Sequence, residues 1–375
     1  MIIKRLKLKD FRNYENLDIK LDKKLNIFIG DNAQGKSNIL ESIVVLSLTK
    51  SYLNVKDSNM IMFGKKVANL SADVDFGGTV EKLFISFNDF EKKVKINGNV
   101  VKKYSDYISK VRFILFSPID INFIKDGPAI RRKSFNVELS QLSNRYVKLL
   151  QSFNAILKKR NQFLKMVSNT GKCNDFYFDV LNDKFSTLAV EITLERRKFV
   201  DMINNEIGNI YEEITGDSGL KLKYINTVNI VDDKIEMKRI LMDKLKNNFE
   251  KEKFYGMTFI GPHRDDYSLF LSDNDLSLYG SQGQNRVAIL SLKLAEVPIF
   301  KSICDDCPIL LLDDIFSELD SKRKNRLIKY ILDDVQTIIT TTDLNVIDKK
   351  LVDKSKIFKI SNGEVVVDSK KEGRR

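Results

Sequence analysis

The chain has 375 residues, a formal net charge of +12, and 43% hydrophobic and 30% charged residues. This balance predicts a globular protein with more than one core, and the absence of an apolar run of roughly 18 residues argues against a membrane protein. The positive charge favours a polyanionic partner, nucleic acid first, although a lysine-rich compositional bias would give the same excess. Three cysteines and an N-terminus that lacks the apolar core of a signal peptide lead us to expect a cytoplasmic protein with no membrane partner.

The N-terminal residues predict a β-hairpin followed by a buried strand. Apolar residues alternate from Ile3 to Leu21, interrupted by a turn that contains Arg12 and Asn13, and residues 25–29 form the buried strand. Arg12 and Asn13 are candidates to flank a bound nucleotide, or they are simply turn formers.

A glycine-bounded loop and an apolar-periodic helix follow, with the spacing of a P-loop. The loop residues are Gly30, Asp31, Asn32, Ala33, Gln34, Gly35, Lys36 and Ser37. Backbone N–H groups between the two glycines can cradle phosphate, and the positive end of the helix adds to that field. The spacing predicts that Lys36 reaches the β- and γ-phosphates of ATP and that Ser37 ligates Mg²⁺.

Short strands at 67–76, 79–87 and 94–96 predict a β-rich flank, and residues 111–116 form another buried strand. From Leu139 onward, apolar residues recur at threes and fours in two runs separated near 168–175. We expect an antiparallel helical hairpin whose arms have about 30 residues and a length of about 45 Å.

Basic residues lie at the start of this region and along it. Arg131, Arg132 and Lys133 follow a Gly-Pro breaker and are candidates for DNA phosphate, or they form an ordinary surface cluster. Others in the arm are equally well explained by phosphate binding or by a solvated helix face: Lys158, Lys159, Arg160, Arg196, Arg197 and Lys198.

Strand character returns after a mixed region, at 222–231, 257–260 and 267–271. Residues 308–314 predict an apolar strand that ends in Asp313 and Asp314, the arrangement that a Mg·ATP site needs beside a P-loop. Asp313 would hold Mg²⁺ and Asp314 would polarise the attacking water as a general base. The alternative is a buried strand with two exposed carboxylates at its end.

A second candidate anion site precedes the acidic strand. Ser281 is placed to cap an apolar helix, and Gly283 exposes backbone N–H groups at its start. His263 is the only histidine, and we expect it to belong to a network that links the lobes or a dimer interface. Cys304 and Cys307 have zinc-like or redox-like spacing, but zinc needs about four ligands and only Cys173 and His263 remain as further candidates, which argues against a zinc site.

These motifs, in this order, resemble ABC-type ATPases of the SMC class, and within them the RecF family. The matching segments span nearly the whole chain: 8–14, 30–38, 116–120, 127–132, 261–266, 281–284 and 312–320. The runs at 261–266 and 312–320 are specific, whereas the P-loop is generic. A departure follows Arg132, where Lys133–Asn136 replaces the family's Phe-Leu-Asp.

The resemblance implies an α/β fold, with an ATPase head from residues 1–118 and 251–375, a β-rich flank and a short helical-hairpin arm at 119–250. It implies an ATP-induced homodimer in which the signature of one protomer closes on the nucleotide of the other. The signature residues are Ser281, Gln282, Gly283 and Gln284, and the D-loop residues at the dimer seam are Ser317 and Asp320.

The implied function is recombinational DNA repair and replication restart. The dimer would bind double-stranded and gapped DNA and, with RecR and RecO, load RecA. Asp314 stands where transporters carry glutamate, and 336–342 lacks a switch histidine. Both features indicate slow hydrolysis, and the resemblance implies a weak, DNA-dependent ATPase whose hydrolysis releases DNA. The alternatives are a nuclease-coupled cassette ATPase, an SMC-like structural protein and a transporter subunit.

Overall fold

The computed structural model describes residues 1–108, 110–228, 231–304, 307–318, 323–324, 327–328 and 335–367, without the side chains of Ser317 and Glu318. The chain divides into two compact units. Unit 1 comprises Met1–Asp120, Glu212–Asp217 and Leu290–Arg375, and unit 2 comprises Ile121–Tyr211 and Ser218–Ile289.

Unit 1 contains a mostly parallel sheet. In spatial order its strands are β15 (Glu364–Val367), β14 (Lys356–Ser361), β3 (Leu25–Ile29), β13 (Thr337–Thr341), β12 (Ile309–Asp313) and β8 (Phe113–Phe116). Only β15 runs antiparallel to its neighbour among these described strands. Every residue of β12 and β13 is buried, as expected for central parallel strands covered on both faces.

An antiparallel sheet forms the β-rich flank of unit 1. Its strands, in order, are β2 (Tyr14–Lys20), β1 (Ile2–Phe11), β4 (Ala68–Phe76), β5 (Thr79–Phe87), β6 (Lys92–Ile96) and β7 (Asn99–Val100). The predicted N-terminal hairpin and the three flanking strands are confirmed. Gly77 and Gly78 both have positive φ, as the tight β4–β5 turn requires.

One hydrophobic core joins both sheets of unit 1 to helix α1 (Lys36–Leu48). Gln336, just before β13, adds a buried polar connection between the two sheets. Its Nε2 donates to Ile3 O and Asp22 O, both at 2.9 Å, and its Oε1 accepts from Ile3 N at 2.8 Å. A buried amide with these partners holds the start of β1 beside the start of β13, although the two strands belong to different sheets.

Unit 2 is built on helices and a small sheet. The helices are α2 (Asn122–Lys125), α3 (Pro128–Leu142), α4 (Asn144–Thr170), α5 (Asp175–Thr215), α6 (Lys234–Asn247), α7 (Phe249–Tyr255) and α8 (Leu276–Tyr279). Strand β10 (Asp266–Leu271) lies between β11 (Asn274–Asp275) and β9 (Leu220–Ile225). Helix α9 (Gln282–Cys304) begins in unit 2 and ends in unit 1, and a short helix, Lys349–Lys354, precedes β14.

The predicted helical hairpin is confirmed as α4 and α5, with the turn at 171–174. Gly171 ends α4 in the left-handed conformation, and its N–H donates to Val167 O. Helix α5 has 41 residues, which at 1.5 Å per residue is about 60 Å, longer than the sequence led us to expect.

The compact units divide at Leu290, whereas the ATPase portion was expected to resume at residue 251, and that domain boundary stays a prediction. Strand β10 pairs with β9, which holds 266–271 in unit 2. One sequence expectation is wrong in this region. Residues 257–260 form no strand, since side chains bind their backbone instead. Thr258 N donates to Asn161 Oδ1 at 2.9 Å, and Phe259 N donates to Glu252 Oε1 at 2.8 Å.

Among the described residues, no helix combines the length and apolar character that crossing a membrane requires.

Candidate nucleotide site

The P-loop connects β3 to α1, as the spacing predicts. Gly35 is the N-cap of α1 with φ 110°, and Ala33 also has positive φ. A Cβ at Gly35 would lie 2.3 Å from Asn13 Nδ2, and one at Gly30 would lie 2.4 Å from Ile360 O. Gly35 is therefore required by its backbone angle and by its close contact with Asn13, whereas Gly30 is required by its close contact with Ile360 alone.

Lys36 turns back over the loop that precedes it. Its Nζ donates to Gly30 O at 2.9 Å and to Asp31 O at 2.7 Å, and the residue is 7% exposed. Burial lowers the pKa of Lys36, and the charges of Asp314, Asp313 and Asp31 oppose that shift. Phosphate oxygens would replace Gly30 O and Asp31 O as the acceptors of the Lys36 ammonium. Their negative charge would offset the cost of burying that cation.

Three side chains converge where β12 ends beside the P-loop helix. Ser37 Oγ donates to Asp313 Oδ1 at 2.8 Å, and Thr340 Oγ1 donates to the same oxygen at 2.7 Å. A carboxylate and a hydroxyl are the hard oxygen donors that Mg²⁺ prefers. The described residues contain no cluster of three or more carboxylate, histidine or cysteine ligands, and Mg²⁺ on a phosphate substrate needs only one or two carboxylates. The residues present therefore fit this ion.

Asp314 takes the left-handed conformation immediately after the strand, with φ 51°. Its N–H donates to Thr340 Oγ1 at 3.1 Å and to Thr340 O at 3.2 Å. Thr340 thus contacts both acidic residues: its hydroxyl donates to Asp313, and its hydroxyl and carbonyl oxygens accept from the N–H of Asp314. Its part in the site was not predicted, since a threonine within an apolar strand has no distinctive spacing.

Arg12 lies beside the P-loop helix and bonds to it. Its guanidinium donates two hydrogen bonds to the buried Glu41 at 2.7 and 2.8 Å and a third to Asn59 O. These contacts give Arg12 a structural role in anchoring α1. Whether it also flanks the nucleotide stays a prediction.

Asn13 bonds to the P-loop itself. Its Nδ2 donates to Gln34 O at 2.7 Å, and its Oδ1 accepts from Asn38 Nδ2 at 2.9 Å. Tyr14 OH donates to Gly35 O at 3.0 Å. The β1–β2 turn therefore holds the loop backbone from outside, and the tyrosine was missed because its position in the alternation indicates only a core residue.

The C-terminal hairpin also reaches the P-loop. Asn362 N, in the β14–β15 turn, donates to Gln34 Oε1, and a Cβ at Gly363 would lie 2.2 Å from Asn13 O. This contact joins residues 328 positions apart, so no local pattern could have predicted it.

The signature segment forms the exposed start of α9. Gln284 N donates to Ser281 Oγ at 3.2 Å, and Ser281 N donates to Gln284 Oε1 at 2.9 Å. This reciprocal pair is a capping box, and the prediction of Ser281 as N-cap is confirmed. Ser281, Gln282, Gly283 and Gln284 are all exposed.

The D-loop residues are only partly described. The backbone of Ser317 lies in a 3-10 turn, Ile315–Glu318, that follows the acidic pair. Asp320 lies outside the described residues, so the D-loop assignment stays a prediction.

The basic triplet at the start of α3 is divided between internal and exposed positions. Arg131 makes a bidentate pair with Asp266 at 2.7 and 2.8 Å, and Arg132 donates to Asp265 O at 2.7 Å. These contacts argue against Arg131 and Arg132 as DNA ligands, because their guanidinium groups are occupied within unit 2. Lys133 is exposed and stays a candidate.

The run at 261–266 forms a polar network whose described partners belong to unit 2. Asp265 accepts from Tyr224 OH and from Thr227 N, and Arg196 donates to Pro262 O at 2.6 Å. Burial lowers the pKa of His263 to about 4, and its Nε2 lies 3.0 Å from Thr258 O. The run therefore joins strand β9 to helix α5 within unit 2, while its suggested place between lobes or protomers stays a prediction.

Two arm arginines that the sequence left as solvated or DNA-binding are buried. Arg160 is 0% exposed and pairs with Glu252, and Arg196 is 2% exposed. Both were ambiguous because each has a partner more than 60 residues away in sequence, Glu252 for Arg160 and Pro262 for Arg196.

Comparison with known proteins agrees with this geometry. The RecF/RecN/SMC N terminal domain model matches residues 2–365. The DNA replication and repair protein RecF of Ligilactobacillus salivarius is 37% identical over 370 residues, which covers 97% of each chain. The corresponding protein of Clostridium botulinum (strain Eklund 17B / Type B) is 39% identical and covers 98% of this chain and 100% of its own.

Solved structures give the same result. A structure of the recombination mediator protein RecF with ATP, described in the RecFOR pathway, superposes with a TM-score of 0.90 at 29% identity and covers 98% of this chain and 97% of its own. An Smc head bound to the C-winged helix domain of ScpA superposes with a TM-score of 0.55 at 16% identity, covering 98% and 97%, which indicates a shared fold alone.

Proposed function

The chain belongs to the RecF family of DNA replication and repair proteins, and from that premise we propose that it is an ATP-dependent DNA-binding protein of recombinational repair and replication restart. The observation that carries the proposal is the joining of the P-loop helix to the acidic strand through Ser37, Asp313 and Thr340. Ser37 and Asp313 are 276 residues apart in sequence and meet at Asp313 Oδ1. A cation bound to the nucleotide phosphates requires a hydroxyl and a carboxylate at this position.

In this proposal, the loop from Gly30 to Ser37 binds the phosphates of ATP and Lys36 neutralises them. Ser37 and Asp313 hold Mg²⁺, which supplies charge stabilisation on the phosphate oxygens when bound. Asp314 accepts a proton from the attacking water. Asp31, Asn32, Ala33 and Gln34 contribute loop backbone, and Asn13 keeps that backbone in place.

The signature segment acts across a homodimer. Ser281 to Gln284 are exposed, and their capping box engages the N–H groups of Ser281 and Gln284. An anion at this helix start would therefore be bound by the N–H groups of Gln282 and Gly283. ATP held by one protomer would supply that anion to its partner. Ser317 and Asp320 would lie at the seam, and weak, DNA-dependent hydrolysis would reopen the dimer.

Double-stranded and gapped DNA are the proposed partners, bound mainly through phosphate. The net charge of +12 and the exposed Lys133 support electrostatic binding without base reading. The pathway named for the related ATP-bound structure supports action with RecR and RecO. Loading of RecA through these two partners is part of the proposal.

The proposal is tested with Lys36→Met, which removes the phosphate-binding cation, and with Lys172→Met as an exposed matched control in the arm turn. Light scattering after size exclusion measures mass, and fluorescence anisotropy measures duplex binding, each with and without ATP. Wild type and Lys172→Met should dimerise and bind DNA more tightly with ATP, whereas Lys36→Met should do neither. Binding that is insensitive to both ATP and salt in wild type would contradict the proposal.

A further inference from the structure

Exposed aromatic rings and cations lie together on α7 and the loop that follows it. Phe254 is 76% exposed and Tyr255 is 57% exposed. Their rings meet edge to face with centroids 5.0 Å apart, and Tyr255 meets Phe259 in the same way at 5.5 Å. We call Lys251, Phe254, Tyr255, Phe259 and Arg264 the aromatic–basic face.

The cations of this face are held beside the rings. Lys251 Nζ lies 4.9 Å from the centroid of Phe259, and Arg264 Cζ lies 5.4 Å from it. Arg264 is also fixed by its Nε, which donates to Thr258 O at 3.1 Å. Cation–π contacts with Phe259 and the hydrogen bond of Arg264 thus hold two positive charges in the same cluster as the exposed rings of Phe254 and Tyr255.

The opposite side of α7 is anchored in the arm. Glu252 is buried against Arg160 at 2.7 Å, and the ring of Phe249 lies 5.2 Å from that of Phe178. Gly256 ends the helix with φ 62°. These contacts fix the backbone that carries the exposed rings, so a ligand would meet a surface that needs little further ordering.

We propose that the aromatic–basic face binds single-stranded DNA. Bases stack on Phe254 and Tyr255, and Lys251 and Arg264 contact the neighbouring phosphates. This inference rests on the proposed DNA-binding function and adds to it a surface for the unpaired strand of gapped DNA. Unpaired bases offer open faces to aromatic rings, whereas the bases of a duplex are stacked on each other, so the rings favour a single strand. The adjacent cations favour a polyanion over an apolar protein surface as the partner.

The absence of tryptophan from the sequence permits a direct measurement. The variant Tyr255→Trp carries a single tryptophan within the face. Titration with oligothymidylate of about 15 nucleotides, near the upper end of the site sizes of single-strand binding modules, should quench its fluorescence. Duplex DNA of the same length should leave that fluorescence unchanged.

Substitutions separate stacking from charge. Phe254→Ala with Tyr255→Ala should weaken oligothymidylate binding about tenfold or more, with an unchanged salt dependence, because the phosphate contacts remain. Lys251→Ala with Arg264→Ala should instead reduce the slope of log K against log salt by about 1.4, because each phosphate contact on a single strand contributes about 0.7. Phe90→Ala, at a position 96% exposed in unit 1, is the matched control and should change neither quantity.

Wild-type oligothymidylate affinity in the double aromatic variant, with no quenching in Tyr255→Trp, would overturn the inference. Loss of self-association in sedimentation, with oligothymidylate binding intact, would also overturn it and identify the face as a protein interface. A wild-type protein that binds oligothymidylate through this face but ignores duplex DNA and ATP would support the inference and contradict the proposed function.

Discussion

The buried ion pair in the arm allows a quantitative prediction of stability. Arg160 and Glu252 have fully buried side chains that meet at 2.7 Å. Arg160 also donates to Asn182 Oδ1 at 2.8 Å and to Thr258 Oγ1 at 2.6 Å, so its charge is fully engaged. The change Arg160→Met preserves an unbranched chain that fills much of the space of the arginine stem. It removes the guanidinium and leaves the Glu252 carboxylate buried without its cation.

Breaking such a pair costs about 3–5 kcal/mol, because the remaining charge keeps its desolvation penalty. Unit 2 has about 160 residues, and in a domain of that size each kcal/mol lowers the melting temperature by about 2–4 °C. We therefore expect the unfolding transition of unit 2 to fall by about 10 °C. The double variant Arg160→Met with Glu252→Gln should lose less than the sum of the two single changes.

Thermal melts followed by circular dichroism, together with urea titrations, measure these differences. Lys159→Met is the matched control, since Lys159 is the exposed neighbour on the same helix. A melting temperature for Arg160→Met within a degree or so of the control, or additive effects in the double variant, would refute the reasoning.

Three further changes test the site and the arm. Asn13→Ala removes the hydrogen bonds that hold the P-loop and should weaken binding of a fluorescent ATP analogue about tenfold, unlike the exposed control Asn16→Ala. Asp313→Asn should abolish the Mg²⁺ dependence of that binding while retaining Mg²⁺-free affinity. His263 has a folded pKa of about 4, below its usual 6.5, so the unfolded chain binds more protons as acid is added. Stability should therefore be full above about pH 6.5 and fall by up to about 3 kcal/mol towards pH 4, and His263→Gln should remove that component.

Each of these three has its contradicting outcome. Equal ATP affinities for Asn13→Ala and Asn16→Ala would show that the loop holds its conformation unaided. Persistent Mg²⁺ dependence in Asp313→Asn would place the ion elsewhere. For His263→Gln, a denaturation profile between about pH 7 and 5 identical to that of wild type would show that the histidine does not link stability to pH.

Local patterns predicted the elements that carry the nucleotide site. Glycine spacing indicated the turn from β3 into α1, and a continuous apolar run indicated β12, because each depends only on neighbouring residues. Ser281 as the cap of α9 was predicted for the same reason, since its partner Gln284 is three positions away.

Contacts between distant segments were beyond such patterns. The bonds from Gln336 to Ile3 and from Asn362 to Gln34 each join residues more than 320 positions apart. Helical periodicity could not show that Arg160 is buried, because an arginine enters a core only when a partner such as Glu252 satisfies it. Apolar residues at 257–260 indicated a strand, whereas Asn161 and Glu252 bind that backbone and exclude one.

The central claim, that each nucleotide site is completed by a second chain, can be tested by mixing two inactive variants. Lys36→Met retains the signature but loses the P-loop cation, and Ser281→Arg retains the P-loop but blocks the signature. Equal mixing in a symmetric dimer should restore ATP hydrolysis to at most about a quarter of wild type, since half of the dimers are mixed and each has one intact site. Activity that stays at the level of the separate variants would contradict the claim.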